Sequence, residues 1–293
     1  MICKYVSGTG EEFILNDSYE VNIKECQPYF SKWNVEGNDA QFGIVPTSLS
    51  KDAISLPITL KFRGTITEMK NNLESFFEMC EKDILAFNED GKTQGKLYLG
   101  DYDDNGKFVG GYLAGWVNER ETAPVKEWYG YSQTINFIAP YPFWIYPLTK
   151  EFIKDDSGSE SGLFLDYDYD YPYDFSFAEA GVRAWDVNHY GKSDFILTIY
   201  GYCEDPRIVI DGHEYQVFTS LDNGEYLIIN SKELTITKHL NSGDEVNIFN
   251  WRLKSSSVFE KIPSGHVILT WDGTFGFTLT LLTERSEPKW ITG

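Results

Sequence analysis

The chain has 293 residues, which favours two domains of roughly 150 residues each, and its 42% hydrophobic and 16% aromatic content favours strands over helices. Its 25 basic and 45 acidic side chains give a formal net charge of −20, so it lacks the clustered Lys and Arg that bind nucleic-acid phosphates or anionic membrane surfaces. We therefore expect a soluble, mainly β protein that binds neither nucleic acid directly nor a membrane.

The spacing of cysteines and histidines argues against a metal site. No Cys-x-x-Cys pair occurs and the four histidines are scattered, whereas zinc needs ligands at short repeated spacings. We expect free, mostly buried thiols at Cys3, Cys26, Cys80 and Cys203. The N-terminal residues lack the apolar segment of a signal peptide, and no apolar run approaches the ~20 residues that span a bilayer. Synthesis in the cytoplasm is the expectation.

Residues 2–35 predict short strands separated by polar turns. Residues 13–15 and 19–23 favour strands, and Gly37–Asp39 is typical of a turn. Residues 53–66 alternate between apolar and polar side chains, which is the pattern of a half-buried strand. Pro57 should lie at the start of that strand or on a sheet edge, because proline has no N–H to donate.

One helix is predicted near residues 68–88. Apart from one adjacent pair, its apolar residues recur at steps of three and four and so share one helical face: Met69, Leu73, Phe76, Phe77, Cys80, Ile84 and Phe87. Thr67 is a suitable N-cap and Gly91 a suitable stop signal. We expect this face to pack against a sheet.

Three further strands follow, at residues 96–102, 107–117 and 132–138. Between the first two, Asp101–Gly106 matches the first half of a calcium loop, but the position that needs a bidentate Glu is Tyr112. A hairpin turn at Asn105-Gly106 explains the same residues, so we assign no metal. Pro140, Pro142 and Pro147 follow the last of these strands, and the stretch 137–144 is expected to end the sheet and the first domain.

Residues 148–176 resemble a linker with an added arm. Residues 155–162 are polar and flexible, and Asp166–Asp174 alternates Asp with Tyr. In an extended chain, carboxylates two residues apart are about 6–7 Å apart, too far for one ion without another segment. A cation on Asp166, Asp168 and Asp170, or sugars on the tyrosines, are the alternatives to a solvated face or a protein contact.

The remaining chain predicts an antiparallel sheet. Strands are expected at 195–200, 207–210, 226–230 and 234–238, with turns at Asp205-Pro206, Asp211-Gly212, Asp222–Gly224 and Ser231-Lys232. Later strands are expected at 246–253, 266–271 and 276–283.

Enzyme motifs are missing from the sequence. It contains no Walker loop, no dinucleotide fingerprint and no G-x-S-x-G elbow. With 45 acidic residues, some carboxylate pair will meet the spacing of a glycosidase by chance. We therefore assign no catalytic, cofactor-binding or metal-binding residues and predict that the chain is not an enzyme.

A series of short motifs carries a resemblance. A strand precedes Asp205-Pro206, then come Arg207–Ile210, Asp211-Gly212 and Gly224–Asn230, and later Pro263-Ser264-Gly265 and a closing Pro288-Lys289-Trp290. This order resembles the distal tail (Dit-like) proteins of siphophages, a phage tail family, as does the strand with prolines and aromatics at 137–144. One departure is Asp205, where the family more often has Asn; both residues suit turn initiation.

The resemblance implies a fold and a function. It implies a ring-forming, β-rich domain at 1–147 and a galectin-like antiparallel β-sandwich at 148–293. Six copies would form a hexameric ring at the virion tail tip of a phage or prophage. That ring would join the tail tube protein to the tail-tip (tail-associated) protein and to receptor-binding proteins for host adsorption.

Two other functions stay open at this stage. A carbohydrate-binding β-sandwich module would stack sugars on exposed aromatics such as Trp251 or Trp271. A hydrolase would need a pocket in which perturbed carboxylates converge.

Overall fold

The computed structural model describes residues 2–16, 20–29, 31–103, 106, 108–120, 125–127, 130–154 and 182–289. It is 55% strand and 11% helix, with antiparallel sheets and a single helix in this part of the chain. The prediction of a mainly β fold with one helix is confirmed. The predicted linker, 155–162, and the Asp/Tyr arm, 166–174, lie outside the described residues.

The chain forms two compact units, one of Met1–Tyr146 with Glu284–Gly293 and one of Pro147–Thr283. The domain ranges 1–147 and 148–293 stay a prediction, and the units differ from them by assigning the C-terminal residues to the first unit.

The elements of the first unit begin at the second residue. In chain order they are β1 (Ile2–Val6), β2 (Glu12–Ile14), β3 (Val21–Cys26), β4 (Asn34–Asp39), β5 (Ile44–Ser50), β6 (Ile54–Phe62), α1 (Ile66–Asp90), β7 (Gly95–Tyr102), β8 (Phe108–Arg120), β9 (Val125–Glu127), β10 (Gly130–Ala139) and the start of β11 (Trp144–Phe152). Strand β1 pairs with β2 and β7, and β6 pairs with β3 and β10. The long strand β8 pairs with β7 through its first half and with β10 through its second half.

The core of the first unit lies between these strands and α1. The Phe76 ring meets the rings of Tyr5, Phe13 and Phe77 at centroid distances of 5.9, 5.1 and 5.4 Å. Of the predicted apolar face, Met69, Phe76, Phe77 and Cys80 are buried, whereas Leu73, Ile84 and Phe87 are partly buried. The alternation in β6 is confirmed as well, with Leu56, Ile58, Leu60 and Phe62 buried.

Helix α1 begins two residues earlier than the sequence predicts. Thr65, not Thr67, is the N-cap, and it forms a capping box with Glu68. The prediction of Thr67 was wrong because Glu68 lies three residues after Thr65, which is the spacing of a reciprocal cap. The stop at Gly91 is confirmed: Gly91 has φ +67°, and its N–H donates to the Phe87 carbonyl at 2.7 Å.

Two prolines lie inside strands. Pro57 is in the middle of β6, where the pairing with β3 has already ended at Ile58, so no ladder donor is lost on that side. Pro147 lies within β11, whose pairing with β8 is at Ile145. The end of β10 at Ala139, just before Pro140, follows the predicted rule.

The second unit is a two-sheet sandwich. Its elements are the rest of β11, then β12 (Val182–Val187), β13 (Asp194–Tyr200), β14 (Cys203–Glu204), β15 (Arg207–Ile210), β16 (His213–Gln216), β17 (Ser220–Leu221), β18 (Tyr226–Asn230), β19 (Thr235–His239), β20 (Glu245–Asn247), a 3-10 helix (Phe249–Trp251), β21 (Gly265–Trp271) and β22 (Phe277–Arg285), the last of which continues into the first unit. One sheet has the order β11-β22-β13-β18-β19-β20 and the other β12-β21-β15-β16.

The two sheets share one hydrophobic core. Phe195, Leu227 and Leu279 from one sheet belong to the same buried cluster as Ile208 and Leu269 from the other. This confirms the predicted sandwich of antiparallel strands, while its galectin-like character stays a prediction. The turn at Asp211-Gly212 has φ +48° and +80°, the conformation that a two-residue hairpin loop requires.

One strand of the second unit is shorter than predicted. The expected strand at 246–253 stops after Asn247, and the chain turns into the 3-10 helix. The Asn247 side chain accepts a hydrogen bond from the Phe249 N–H at 3.0 Å, which starts this turn. Ile248 becomes buried between the two elements.

Candidate functional site: an exposed hairpin in the first unit

The hairpin formed by β4 and β5 stands apart from the other sheets of the first unit. Its strands pair only with each other, with Val35 opposite Leu49 and Asp39 opposite Ile44. Every residue of β5 is exposed, and so is every residue of β4 except Asn34. Neither outer edge is covered by another described strand. We call Trp33–Ser50 the hairpin arm.

Large apolar side chains cover the hairpin arm. Phe42 at its tip is 90% exposed, and the other exposed members of the set are Trp33, Val35, Ile44, Val45 and Leu49. A contiguous group of exposed apolar residues marks an interaction surface in a soluble protein. A two-stranded hairpin is also only marginally stable in water, so this element gains most when a partner covers it.

A glycine and a bulge shape the middle of the hairpin arm. The register between the strands shifts at Glu36 and Gly37. A Cβ atom on Gly37 would lie 2.2 Å from the Val45 carbonyl oxygen, so a larger residue would separate the strands. The Ser48 hydroxyl donates to the Glu36 carboxylate at 3.0 Å, which holds the strands together beside the bulge.

Aromatic and cationic contacts fix the base of the hairpin arm. The Trp33 and Phe143 rings meet at 6.1 Å in an edge arrangement. The Lys51 Nζ lies 5.0 Å from the Trp33 centroid and 5.2 Å from the Phe143 centroid, and it donates to the Ser31 hydroxyl at 2.8 Å. Partial burial lowers the pKa of Lys51, and the charge of Glu287 opposes that shift.

The sequence did not predict this hairpin. The expected turn at Gly37–Asp39 is wrong, because these residues belong to β4. The turn lies at Ala40–Gly43, where the Ala40 N–H donates to the Gly43 carbonyl at 2.9 Å and Gly43 has φ +87°. Gly37 lies at the β-bulge instead. Glycine is common in both turns and β-bulges, so its presence in the sequence does not distinguish them.

The calcium-loop alternative gains no support from the described part of the chain. Asp101 lies in β7, and the Gly106 N–H donates to the Asp103 carbonyl at 2.9 Å within a turn. Tyr112 pairs with Tyr98 across β7 and β8. Asp104 and Asn105 lie outside the described residues, as do the carboxylates of the Asp/Tyr arm.

The two tryptophans of the sugar-binding alternative differ in their exposure to solvent. Trp271 is buried, and its indole N–H donates to the Phe275 carbonyl at 3.0 Å. Trp251 is exposed but lies on the 3-10 helix, not on a sheet face. A sheet face that presents both rings to a sugar is therefore not formed.

The titratable residues give no reactive cluster within the described ranges. No group of three or more His, Cys, Asp or Glu side chains is placed to hold a metal ion there. All four cysteines are free, with Cys3, Cys80 and Cys203 buried, and burial raises the pKa of Cys26 to about 11. Among the described residues, no helix has the length and apolar character needed to cross a bilayer.

A buried carboxylate in the first unit was missed from sequence. Asp83, on α1, is fully buried and accepts hydrogen bonds from the Tyr5 hydroxyl at 2.5 Å and the Gly8 N–H at 2.8 Å. Burial is the main cause that raises the pKa of Tyr5, which keeps the phenol as a donor. These contacts join the helix to β1, so we interpret the group as structural.

Comparison by sequence finds no relative: no protein-family model matches the chain, and no curated protein is similar to it.

Comparison by structure does find chains of similar fold. The Dit protein of phage SPP1, described as a paradigm of the hub adsorption apparatus in phages that infect Gram-positive bacteria, aligns with a TM-score of 0.57 and 11% identity over 97% of this chain and 100% of its own. A chain of the phage P2 baseplate in its activated conformation with Ca aligns with a TM-score of 0.63 and 13% identity, over 98% of this chain and 100% of its own. A chain of a second P2 baseplate structure, with Sr, aligns with a TM-score of 0.62 and 14% identity, over 98% of this chain and 99% of its own.

These values establish a shared fold. The resemblance to Dit-like tail proteins that the sequence motifs predicted is confirmed at the level of the fold, over nearly the whole chain.

Proposed function

We propose that this chain is a structural protein of a phage or prophage tail tip, where it acts as the hub between the tail and the host-adsorption machinery. The observation that carries the proposal is the fold shared with baseplate and Dit chains over 97% or more of this chain. A likeness that includes both units supports a common role better than one confined to a single sandwich, because sandwiches serve many unrelated functions.

The hub is a hexameric ring built by the first unit. A ring needs one surface that meets a different surface of the next copy, so that the contacts close on themselves. The hairpin arm supplies one such surface, since its apolar residues are exposed and its edges are uncovered. Exposed strand edges pair readily with another chain.

The charge of the chain suits a ring around a DNA channel. A net charge of −20 gives the passing phosphates no basic surface to bind. A tail channel must release its DNA, so a neutral or acidic lumen serves it better than a basic one. A basic lumen in an assembled ring would contradict this part of the proposal.

The second unit is the attachment point for other tail proteins. Its partners are the tail-tip (tail-associated) protein and receptor-binding proteins, while the first unit meets the tail tube protein. This role requires surfaces and no turnover, in line with the predicted absence of catalytic residues. The chain is made in the cytoplasm of the host bacterium and ends at the virion tail tip.

Negative-stain imaging of purified protein tests the proposal. We expect sixfold annuli, and we expect antibodies against the chain to label the tip of tails in particles of the phage that encodes it. Annuli of another symmetry would overturn the hexamer alone. Labelling of the capsid, or enzymatic turnover in place of any assembly, would overturn the tail-tip role.

A further inference from the structure

A pocket of about 390 Å³ lies beside the 3-10 helix of the second unit. Its walls combine apolar and cationic side chains: Leu234, Phe249, Leu253, Phe259, Arg252 and Lys254. Pockets of this size hold small organic molecules, usually against apolar walls with a few placed polar groups.

Two aromatic rings form the apolar wall. The Phe249 and Phe259 rings are nearly parallel, with an angle of 20° and a centroid distance of 5.8 Å. Both side chains are half-buried, so each is held by the sandwich and still reaches the surface. Such a wall fits the C–H face of a sugar or polyol.

Arg252 is held flat against this wall. Its guanidinium carbon lies 3.8 Å from the Phe249 centroid, and its Nη1 donates to the Phe249 carbonyl at 2.6 Å. Its backbone is fixed by a bridge to the buried Val217, and the next N–H, of Leu253, donates to the Gln216 carbonyl at 3.0 Å. A stacked guanidinium that is fixed in this way presents its remaining N–H groups in one plane.

The two cations beside the wall have no carboxylate partner among the described residues. Neither Arg252 nor Lys254 forms an ion pair with any described residue, although the chain has 45 acidic and only 25 basic side chains. The neighbouring basic residues Lys192 and Lys238 are paired, with Glu260 and Glu225. Two unpaired cations at one pocket of an acidic protein favour an anionic ligand.

We propose that this pocket binds a sugar phosphate, with Arg252 and Lys254 on the phosphate and the Phe249–Phe259 wall on the sugar. Arginine pairs with phosphate through two parallel N–H bonds, and lysine adds a point charge. The Ser257 hydroxyl, which also lines the pocket, is a further polar group for a sugar hydroxyl. This site is separate from the surface proposed for ring formation, so either proposal can fail alone.

Calorimetric titration of the full chain tests the site, with glucose phosphate, inorganic phosphate and glucose as probes at low salt. Glucose phosphate should bind more tightly than either fragment. Lys254→Gln removes a side chain that forms no hydrogen bond or ion pair with a described residue, and it should weaken binding roughly threefold, as for an exposed ion pair. Arg252→Gln should weaken binding roughly tenfold or more, because it removes charged hydrogen bonds.

Lys92→Gln is the matched control, because Lys92 is an exposed lysine in the other unit. It removes the same charge and should leave the affinity unchanged. Thermal melts establish whether each variant is folded. If the Arg252→Gln variant is unfolded, the Lys254→Gln variant still tests the site. Equal binding of glucose and glucose phosphate, no binding of glucose phosphate, or equal effects of the three variants would each overturn the site.

A phosphate-bearing glycan of a bacterial cell wall and a free sugar phosphate share this chemistry. Competition distinguishes them. If the isolated glycan displaces bound glucose phosphate at a lower concentration of phosphate groups than free sugar phosphate requires, the site binds the surface polymer. If it does so only at a higher concentration, the site binds the free sugar phosphate. Displacement that is insensitive to Arg252→Gln would contradict both.

Discussion

At the scale of single residues, Asp83 shows how a buried carboxyl group can join two elements. Both of its oxygens are occupied, one by the Tyr5 hydroxyl and one by the Gly8 N–H. Gly95 leaves room for this arrangement, because a Cβ atom there would lie 1.9 Å from the Tyr5 hydroxyl oxygen. The sequence could not reveal the contact, since an Asp between Lys82 and Ile84 of an amphipathic helix is also typical of a solvated face.

Replacement of Asp83 tests its structural role. Asp83→Ala leaves the Tyr5 hydroxyl and the Gly8 N–H without acceptors, and we expect it to lower the free energy of unfolding by roughly 2–4 kcal/mol. Glu81→Ala is the control, because Glu81 is exposed on the same helix and should change stability by no more than about 0.5 kcal/mol. Urea denaturation measures both, and equal effects would contradict a structural role for Asp83.

At the scale of elements, the sequence predicted regular strands well and irregular ones poorly. Strands Arg207–Ile210 and Tyr226–Asn230 have the predicted bounds, because alternation and adjacent turn residues act together there. The hairpin arm was missed because neither of its faces is buried, so no clear alternation marks its strands. The Phe249–Phe259 pocket was missed because most of its lining lies in residues 249–259, a largely irregular segment with no strand or helix periodicity to mark which side chains share a face.

The start of α1 offers a direct test of capping. Thr65→Ala removes the hydroxyl that accepts from the Glu68 N–H, and we expect it to lower the free energy of unfolding by about 1 kcal/mol. Thr67 lies inside the helix, so Thr67→Ala should change the free energy of unfolding by less than about 0.5 kcal/mol. A larger effect at Thr67, measured in the same urea titrations, would show that the helix begins where the sequence alone suggested.

The same cap predicts a dependence on pH. Hydrogen bonds from the Thr65 N–H and hydroxyl lower the pKa of Glu68 below its usual 4.5. A lowered folded-state pKa stabilises the fold above the unfolded pKa, and the effect is lost as pH falls through the folded value. Glu68→Gln should therefore have a lower urea midpoint than wild type at neutral pH, and the two should converge as the pH falls below the folded-state pKa of Glu68. A difference that persists in acid would rule out this cause.

At the scale of the whole molecule, the account depends on self-association. The fold places the chain among phage baseplate and Dit structures, yet identities of 11–14% leave the residues of any interface to be established from this chain itself. The hairpin arm is the element that best fits that need, because burial of its exposed side chains would contribute about 25 cal/mol per Å² of apolar area. The net negative charge makes self-association more specific, because two acidic surfaces repel each other unless apolar contacts between the copies outweigh that repulsion.

The mass of the protein in solution tests this claim most directly. Leu49, on the hairpin arm, and Leu85, on α1, are both 63% exposed, so Leu49→Ser and Leu85→Ser remove equal apolar side chains from a proposed interface and from a free surface. By light scattering, we expect about 200 kDa for wild type and for Leu85→Ser, six times the 33.6 kDa chain, and a shift toward the single chain for Leu49→Ser. A wild type that stays at 33.6 kDa at every concentration, or two variants of equal mass, would contradict the account.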